Sequence, residues 1–598
     1  MILALLNIIL PFCVVIEMLE FELEEFSLID RGKYKTLRLE ELTEEERYLV
    51  DPIVAPTSGL RIKILDKPVA GSEKFVLTRR KLFLFLRVFK AISQKYKEMK
   101  NGNNLKVLVV TDNRPTRSIL LEYCSQIFAY DGYEIFHQKD IPGESKLSAP
   151  YGAASVVLIK DINLVIVLTA SHNELSWNGV KFYIDYPMPM SGDLFKDISN
   201  RAITIREINL DPFYQPIKLD AEQINNDYVI SLLNNVLELK SLIGLKIVIW
   251  PYLGKARGIV NLFKRLGADV VLINEEINPP NPIKVVREEK LKQIMEKEAS
   301  NIAILLDADR DRIALYVKQN GKYCYYIPNE IYSALHNILA NSYRKKIINV
   351  RTIPSDLRGD KTSFINILTG VGYKHLGVIM YFLLGMEVDQ SKVDKAILYY
   401  EDENKTLEKI NKADPLRKRL SELIEKDKKH DESFIIVMWE ESGGHTINVL
   451  NPAKKDSLGH FVFDSKFPII ADKYPVPALV LITELIARGH EISKSIDWSI
   501  KGINRTIPAI DEEKIKIMNN FMKNDKNSLT INEKEYKVSA LSDNANNVDI
   551  YQLKSTDSTL YFRPSGTGPE VRFYIFGKRE THLEELKTVQ DYIKIHYS

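Results

Sequence analysis

From about residue 50 the chain alternates short β-branched apolar runs with longer amphipathic stretches. KVLVVT (106–111), LVIVLT (164–169), GLKIVIW (244–250), 269–273 and NIAILL (301–306) read as buried strands. The stretch 117–131, the residues after Lys255 and REEKLKQIMEKEA (287–299) read as helices by their 3.6-residue period. Strand–helix–strand alternation predicts α/β units with mostly parallel sheets. Ligands of such sheets gather beyond the carboxyl ends of the strands. Two polar segments stand there: TASHN after 164–169 and DADRDR after 301–306. The densely charged stretch 399–432 predicts a solvated helical insertion or mobile loop. It carries both signs, so no partner is assigned to it.

The N-terminus breaks the pattern. Its first sixteen residues carry no charge, yet there is no basic n-region or small-residue cleavage site, and Pro11 interrupts the run. A packed extra element, or a true start at Met18, is expected; a weak membrane anchor stays open. Residues 17–50 are acidic and predict a helical or extended lead-in.

At 598 residues, with 45% hydrophobic and 27% charged positions, the chain is too long for one core and suits three to five domains. Boundaries are expected near 225, 330 and 495. The net charge of +2 gives no electrostatic case for nucleic acid or membrane. Cys13, Cys124 and Cys324 are odd in number and far apart. They suggest a reducing compartment, with no disulfide framework and no zinc site; a cytoplasmic protein is expected.

Four segments carry candidate chemistry. In an extended segment Ser171 and His172 would point to opposite faces, so a direct serine–base pair is not expected, and the Gly-x-Ser-x-Gly elbow is absent. Asn178-Gly179 is a hairpin signal that would return Lys181 toward the serine. A serine near a lysine suits a phosphoryl carrier; a polar loop with a solvated lysine is the alternative. Asp307, Asp309 and Asp311 alternate, so an extended loop would face them one way. Such crowded carboxylates suit a hard divalent cation, Mg²⁺ above all. The other reading is an acidic turn neutralised by Arg310 and Arg312. RPSGTGPEVR (563–572) offers Arg563, Ser565, Gly566, Thr567 and Arg572, donors that fit a phosphate, though a plain glycine turn has the same look. EESGGH (440–445) offers Glu440 and Ser442 for sugar hydroxyls, with His445 beside them.

These segments, in this order, resemble the α-D-phosphohexomutase superfamily. TASHNELSWNGVKFY looks like its phosphoserine loop, DADRDR its metal loop, EESGGH its sugar loop and RPSGTGPEVRFY its phosphate loop. PTSGLR (56–61), DNRPT (112–116) and TGVGYK (369–374) are similar to further family motifs, and the resemblance spans roughly 50–598. It implies a four-domain, heart-shaped architecture, three α/β domains with mixed sheets plus a C-terminal α+β domain. The divisions would be an extension (1–50), then 51–225, 226–330, 331–495 and 496–598. It implies a phosphoserine at Ser171, a metal on Asp307, Asp309, Asp311 and Ser171, and catalytic roles for Lys181, Arg114 and His172. Substrate contacts would come from Arg312, Lys374, Glu440, Ser442, His445, Arg563, Ser565, Gly566, Thr567 and Arg572.

The implied activity interconverts hexose 1- and 6-phosphates of glucose or mannose, with Mg²⁺ and glucose 1,6-bisphosphate as activator. The enzyme would be a monomer or homodimer whose only partner is a small sugar phosphate. Phosphoglucosamine mutase, phosphopentomutase and a non-catalytic sugar-phosphate-binding paralogue are the alternatives. Glu441 stands where glucosamine enzymes often have glutamine, which leans toward glucose or mannose. Departures from the pattern are Trp439 before the sugar loop, an extra glycine within it, Gly568 in place of a glutamate, and Trp250 where aspartate is frequent.

Overall fold

The computed structural model describes residues 19–38, 43–44, 59–68, 73–141, 143–186, 192–401, 406–427, 433–565 and 569–597. The first eighteen positions, and with them the anchor, packed-element and late-start readings, lie outside the described residues, as do Gly566, Thr567 and Gly568.

Four large sheets follow one another along the chain. The first orders its strands Ile217–Leu219, Glu134–Gln138, Lys106–Thr111, Leu164–Leu168, Trp177–Ile184 and Leu60–Lys63. The first four are parallel and the last two antiparallel. The second sheet has three parallel strands, Asp269–Leu272, Lys246–Trp250 and Ile302–Leu306, then antiparallel Ile313–Gln319 and Lys322–Tyr326. The third centres on parallel Ile365–Thr369, Lys346–Thr352 and Phe434–Trp439, flanked by antiparallel strands on both sides. The fourth, between Ile500 and Lys578, is antiparallel throughout and packs the helices Asp511–Phe521 and His582–Tyr597. Strands such as Leu164–Leu168 and Ile302–Leu306 are buried at every position. Their unbroken apolar runs are what strands covered on both faces require.

One device recurs. In each of the first three sheets a parallel strand ends, a short loop follows, and the chain returns antiparallel to its own strand. The loops are 169–176, 307–312 and 440–444. In the fourth sheet the hairpin of Thr559–Pro564 and Glu570–Lys578 holds the corresponding loop.

Of the two forms expected for the lead-in, residues 19–38 take the extended one: Phe21–Leu23, Ile29–Arg31 and Tyr34–Arg38 are short strands, and the last pairs with Glu207–Leu210 and buries Leu37. Leu19 packs against Leu175, Leu253 and Ala308. One expectation changes: the charged stretch 399–432 is not wholly solvated. Leu398–Glu401 and Leu407–Lys409 extend the third sheet, and the helix Ala413–Asp427 buries Leu416, Leu420 and Ile424 at i, i+4 and i+8. Residues 402–405 and 428–432 lie outside the described residues.

One apolar core runs through side chains of the first three sheets, from Val165 through Ile304 to Val437. The fourth sheet has a core of its own around Phe521, Phe562 and Tyr597. A smaller cluster joins Ile353, Leu368 and Tyr399 to Tyr561, Tyr574 and Phe576. A division at about 225, 330 and 495 is proposed on this arrangement. Among the described residues no helix is long and apolar enough to cross a membrane.

Candidate active site

Asn178 and Gly179 do not form the turn. They lie inside the strand Trp177–Ile184, and the chain reverses earlier, at 171–176. The glycine answers to crowding: a Cβ at 179 would sit 2.3 Å from the Leu60 carbonyl oxygen and 2.7 Å from that of Thr169. The Asn178 amide donates to Thr116 Oγ1 at 2.8 Å. Lys181 still returns, opposite Val167, because the strand is antiparallel whichever residues make the turn.

Ser171 is not extended. Its φ is +55°, a left-handed conformation that costs a non-glycine residue about 1–3 kcal/mol unless its surroundings impose it. Two devices impose it. The Ser171 N–H donates to Thr169 Oγ1 at 2.9 Å, and that hydroxyl donates to Asp112 at 2.7 Å. Arg114, fully buried, donates from Nε to Asp112 and from its terminal nitrogens to the carbonyls of Ser171, Asn173, Glu174 and Trp177, at 2.6–3.1 Å. All five guanidinium donors are thereby engaged. Arg114 therefore holds the serine loop; the geometry leaves it no N–H for a phosphoryl group or a proton, which corrects the catalytic role expected for it.

The left-handed turn also brings His172 Nδ1 to 3.4 Å from Ser171 Oγ, contrary to the opposite-face expectation. This is not a serine–base pair. Arg312 Nη1 lies 2.7 Å from the same Nδ1, and the Arg312 charge, followed by burial, pushes the His172 pKa down to about 2. His172 is a neutral acceptor that steers Arg312.

The aspartate loop is a tight turn, with Arg310 at φ +64°, rather than an extended segment. The three carboxylates converge all the same: one oxygen from each lies within 4.8 Å of the others, and all are buried. Asp309 Oδ1 and both Asp311 oxygens accept no hydrogen bond. Buried carboxylate oxygens so left fit a hard cation. Arg310 faces away, onto the carbonyls of Pro251, Leu253 and Asp307. Burial, then the neighbouring Asp311 and Asp309, push the Asp307 pKa well up. Burial works upward on Asp311 too, but Arg312, Lys473 and Lys181 hold it well below the usual carboxylate range.

Arg312 joins the loops. Its Nη1 is 3.0 Å from Ser171 Oγ and 3.0 Å from Asp307 Oδ2, and its Nε donates to the Ser442 carbonyl at 2.8 Å. Lys181 Nζ reaches Asp309 at 2.9 Å and Asp311 at 3.8 Å. Glu440 accepts from the Ser442 hydroxyl and pairs with Lys473 at 2.5 Å. Gly443, at φ +105°, carries the loop past Pro328 and Arg312, where a Cβ would be 3.0–3.2 Å from their side chains.

The remaining expected residues divide. Arg563 and Arg572 are cross-strand partners, Arg563 bonded to Asp549 and Arg572 to Glu570; Ser565 is buried beside them. Lys374, exposed on the first turn of the helix Tyr373–Leu384, shares the electrostatic surroundings of Arg563 and Asp549. Glu441 accepts from Thr352 at 2.8 Å and lies 3.5 Å from the Tyr574 hydroxyl, which ties the 440–444 loop to the fourth sheet. His445 is a correction. It is wholly buried, 2.9 Å from His336 Nε2 and packed against Tyr332, so it belongs to the core. Burial holds its pKa well down.

Sequence reasoning missed Lys473 and Arg61. Lys473 stands alone in a loop with no motif around it. Arg61 belongs to PTSGLR, and it is half-buried within electrostatic range of Asp309, Asp311, Arg312 and Arg114.

Residues 71–209 match the model for phosphoglucomutase/phosphomannomutase, alpha/beta/alpha domain I. The chain is 30% identical over 165 residues to a phosphoglucosamine mutase of Caldicellulosiruptor bescii, covering 26% of this chain and 36% of that protein. It is 31% identical over 179 residues to the phosphomannomutase of Escherichia coli, covering 27% and 38%. The matched stretch thus spans little more than a third of the length of these relatives. Among solved structures, a putative phosphomannomutase from Thermus thermophilus superposes with a TM-score of 0.55 at 17% identity, over 90% of this chain and 99% of that one. The Paramecium phosphoglucomutase pp63/parafusin, in its open form, gives 0.57 at 13% identity, over 94% and 96%. The multi-domain fold is shared along nearly the whole chain.

Proposed function

We propose that this chain, a member of the α-D-phosphohexomutase superfamily, interconverts hexose 1-phosphates and hexose 6-phosphates through a phosphoserine at Ser171. One observation carries the reading: a single nitrogen, Arg312 Nη1, lies 3.0 Å from both the Ser171 hydroxyl and the Asp307 carboxylate, so the acceptor oxygen and the three-carboxylate cradle share one site. Asp307, Asp309 and Asp311, with the serine-borne phosphoryl group, would hold Mg²⁺. Bound there, the ion would draw charge from the phosphoryl oxygens and orient them.

The chain's own residues do the rest. Asp112, Thr169 and Arg114 fix the backbone of the serine in its left-handed turn, where Oγ meets Arg312. Arg312 and Lys181 place positive charge where the phosphoryl group passes between Ser171 and the sugar oxygen. Lys181, bonded to Asp309, is our candidate for moving the proton of the attacking hydroxyl. Glu440 and Ser442 would hold the sugar ring, and Arg563, Ser565, Arg572 and Lys374 the phosphate that is not reacting. The sugar turns between half-reactions, so these grips must accept either end; glucose 1,6-bisphosphate would prime the serine. Glucose and mannose phosphates are the substrates that Glu441 favours over glucosamine phosphate. Sugar phosphates and the unpaired Cys124 and Cys324 support action in the cytoplasm.

The test is a panel of glucose, mannose, glucosamine and ribose 1-phosphates with Mg²⁺ after priming, alongside intact mass. We expect one covalent phosphate, turnover of glucose or mannose 1-phosphate, and loss of both in a folded Ser171→Ala protein. No phosphate and no turnover of any sugar would favour the binding paralogue instead.

A further inference from the structure

Lys473 has no counterpart in any of the motifs that carry the family resemblance, yet its side chain enters the centre of the site. Nζ lies 2.5 Å from Glu440 Oε1 and 3.6 Å from Asp311 Oδ2, with only 16% of the side chain exposed. Its backbone is pinned on both sides. The Asp472 carboxylate accepts the Lys473 N–H at 2.8 Å, the Asp472 carbonyl accepts from Thr446 Oγ1, and Tyr474 N donates to the His445 carbonyl at 2.8 Å. The ammonium is therefore a fixed charge, not a solvated one.

The extra glycine of the sugar loop explains how the stem fits. Gly444 has no left-handed φ to justify it. A Cβ there would fall 2.8, 2.9 and 3.0 Å from Cγ, Cδ and Cε of Lys473, closer than side-chain contacts allow. Gly444 and Lys473 make one feature, a groove and the cation lying in it.

We propose that Lys473, seated by Gly444, determines specificity: its charge neutralises Glu440 and turns away sugar phosphates that carry a ring ammonium, leaving hexose phosphates with an uncharged ring as the ligands. The inference rests on the functional reading above, in which Glu440 and Ser442 hold the sugar. A bare carboxylate at 440 would welcome an ammonium as readily as a hydroxyl. With Lys473 on the same oxygen, a hydroxyl still finds an acceptor in Glu440 or Ser442, while an ammonium meets a like charge in a site where water screens little. The neighbouring charges are Asp311 and Glu440 on one side and Arg312 and Lys181 on the other, so removing Lys473 shifts the local balance toward the anionic.

The test is calorimetric binding of glucose 6-phosphate and glucosamine 6-phosphate, with Mg²⁺, to the full chain and to Lys473→Met, Lys473→Gln and Lys473→Arg. The wild type is expected to bind the neutral sugar at least tenfold more tightly. Lys473→Met and Lys473→Gln should each narrow that ratio about tenfold, and Lys473→Arg should keep it. Two uncharged variants of different shape guard against a packing defect, with circular dichroism confirming the fold. A ratio near one in the wild type, or one unmoved in both uncharged variants while both sugars still bind, overturns the inference alone. No binding of either sugar to the wild type overturns the functional reading, and the inference with it.

Discussion

Arg114 shows how much one side chain can organise. Its guanidinium meets one carboxylate and four carbonyls that lie between Ser171 and Trp177. Lysine keeps the charge but has three donors without the planar fork. Arg114→Lys should therefore leave carbonyls of this turn without a well-aligned donor, at a cost of about 1–3 kcal/mol each. With the serine loop loosened, kcat should fall about 100-fold while KM changes little, since no substrate contact is removed. A parallel loss in both parameters would place Arg114 on the substrate after all. Trp439, which precedes the 440–444 loop, is likewise structural. Its indole donates to Asn349 at 2.8 Å and stands edge-on to Tyr332 and His336.

At the scale of elements, the recurring hairpin decides where chemistry can sit. A parallel strand that turns back on itself at its carboxyl end presents a short loop above the sheet, held by ladder hydrogen bonds on both sides. Register then fixes the loop. Gly179 is the tightest point of that register in the first sheet, where backbone from Leu60 and Thr169 closes on it. Gly179→Ala should push the flanking strands apart and destabilise by about 1–3 kcal/mol, read from the urea midpoint, with activity falling as the serine loop shifts. An unchanged midpoint would mean that the sheet edge yields more easily than the contacts imply.

For the whole molecule, the shared core makes acid the natural denaturant. Burial pushes His137 and His336 down to about 3, and burial with the Lys374 charge does the same to His375. In the unfolded chain each returns to about 6.5. Folded-state values below the unfolded ones mean that the neutral rings stabilise the fold fully above pH 6.5 and lose that contribution as pH falls toward 3. At pH 5 each group should already have withdrawn roughly 2 kcal/mol. The melting temperature should therefore drop between pH 7.5 and 5, without sugar phosphate present. A flat profile would show that these histidines protonate in the native state.

The sequence by itself determined the alternation of strand and helix, because unbroken apolar runs such as LVIVL and IAILL can only be covered strands. It also singled out the serine, the three aspartates and the arginine-bearing segment 563–572 as candidates, since residue type and spacing at strand ends are local properties. Tertiary structure alone decided the rest. Asn178-Gly179 reads locally as a turn, but the approach of Leu60 made it a strand. Arg114 reads as a reactive cation, but four carbonyls from another segment use its donors. His445 sits in a site motif and faces the core, because His336 comes from a distant helix to meet it. Lys473 is invisible along the chain, since its meaning depends on Glu440 and Asp311 arriving from two other loops. Contacts between segments far apart in sequence leave no periodic trace in either, and only the folded chain brings their charges together.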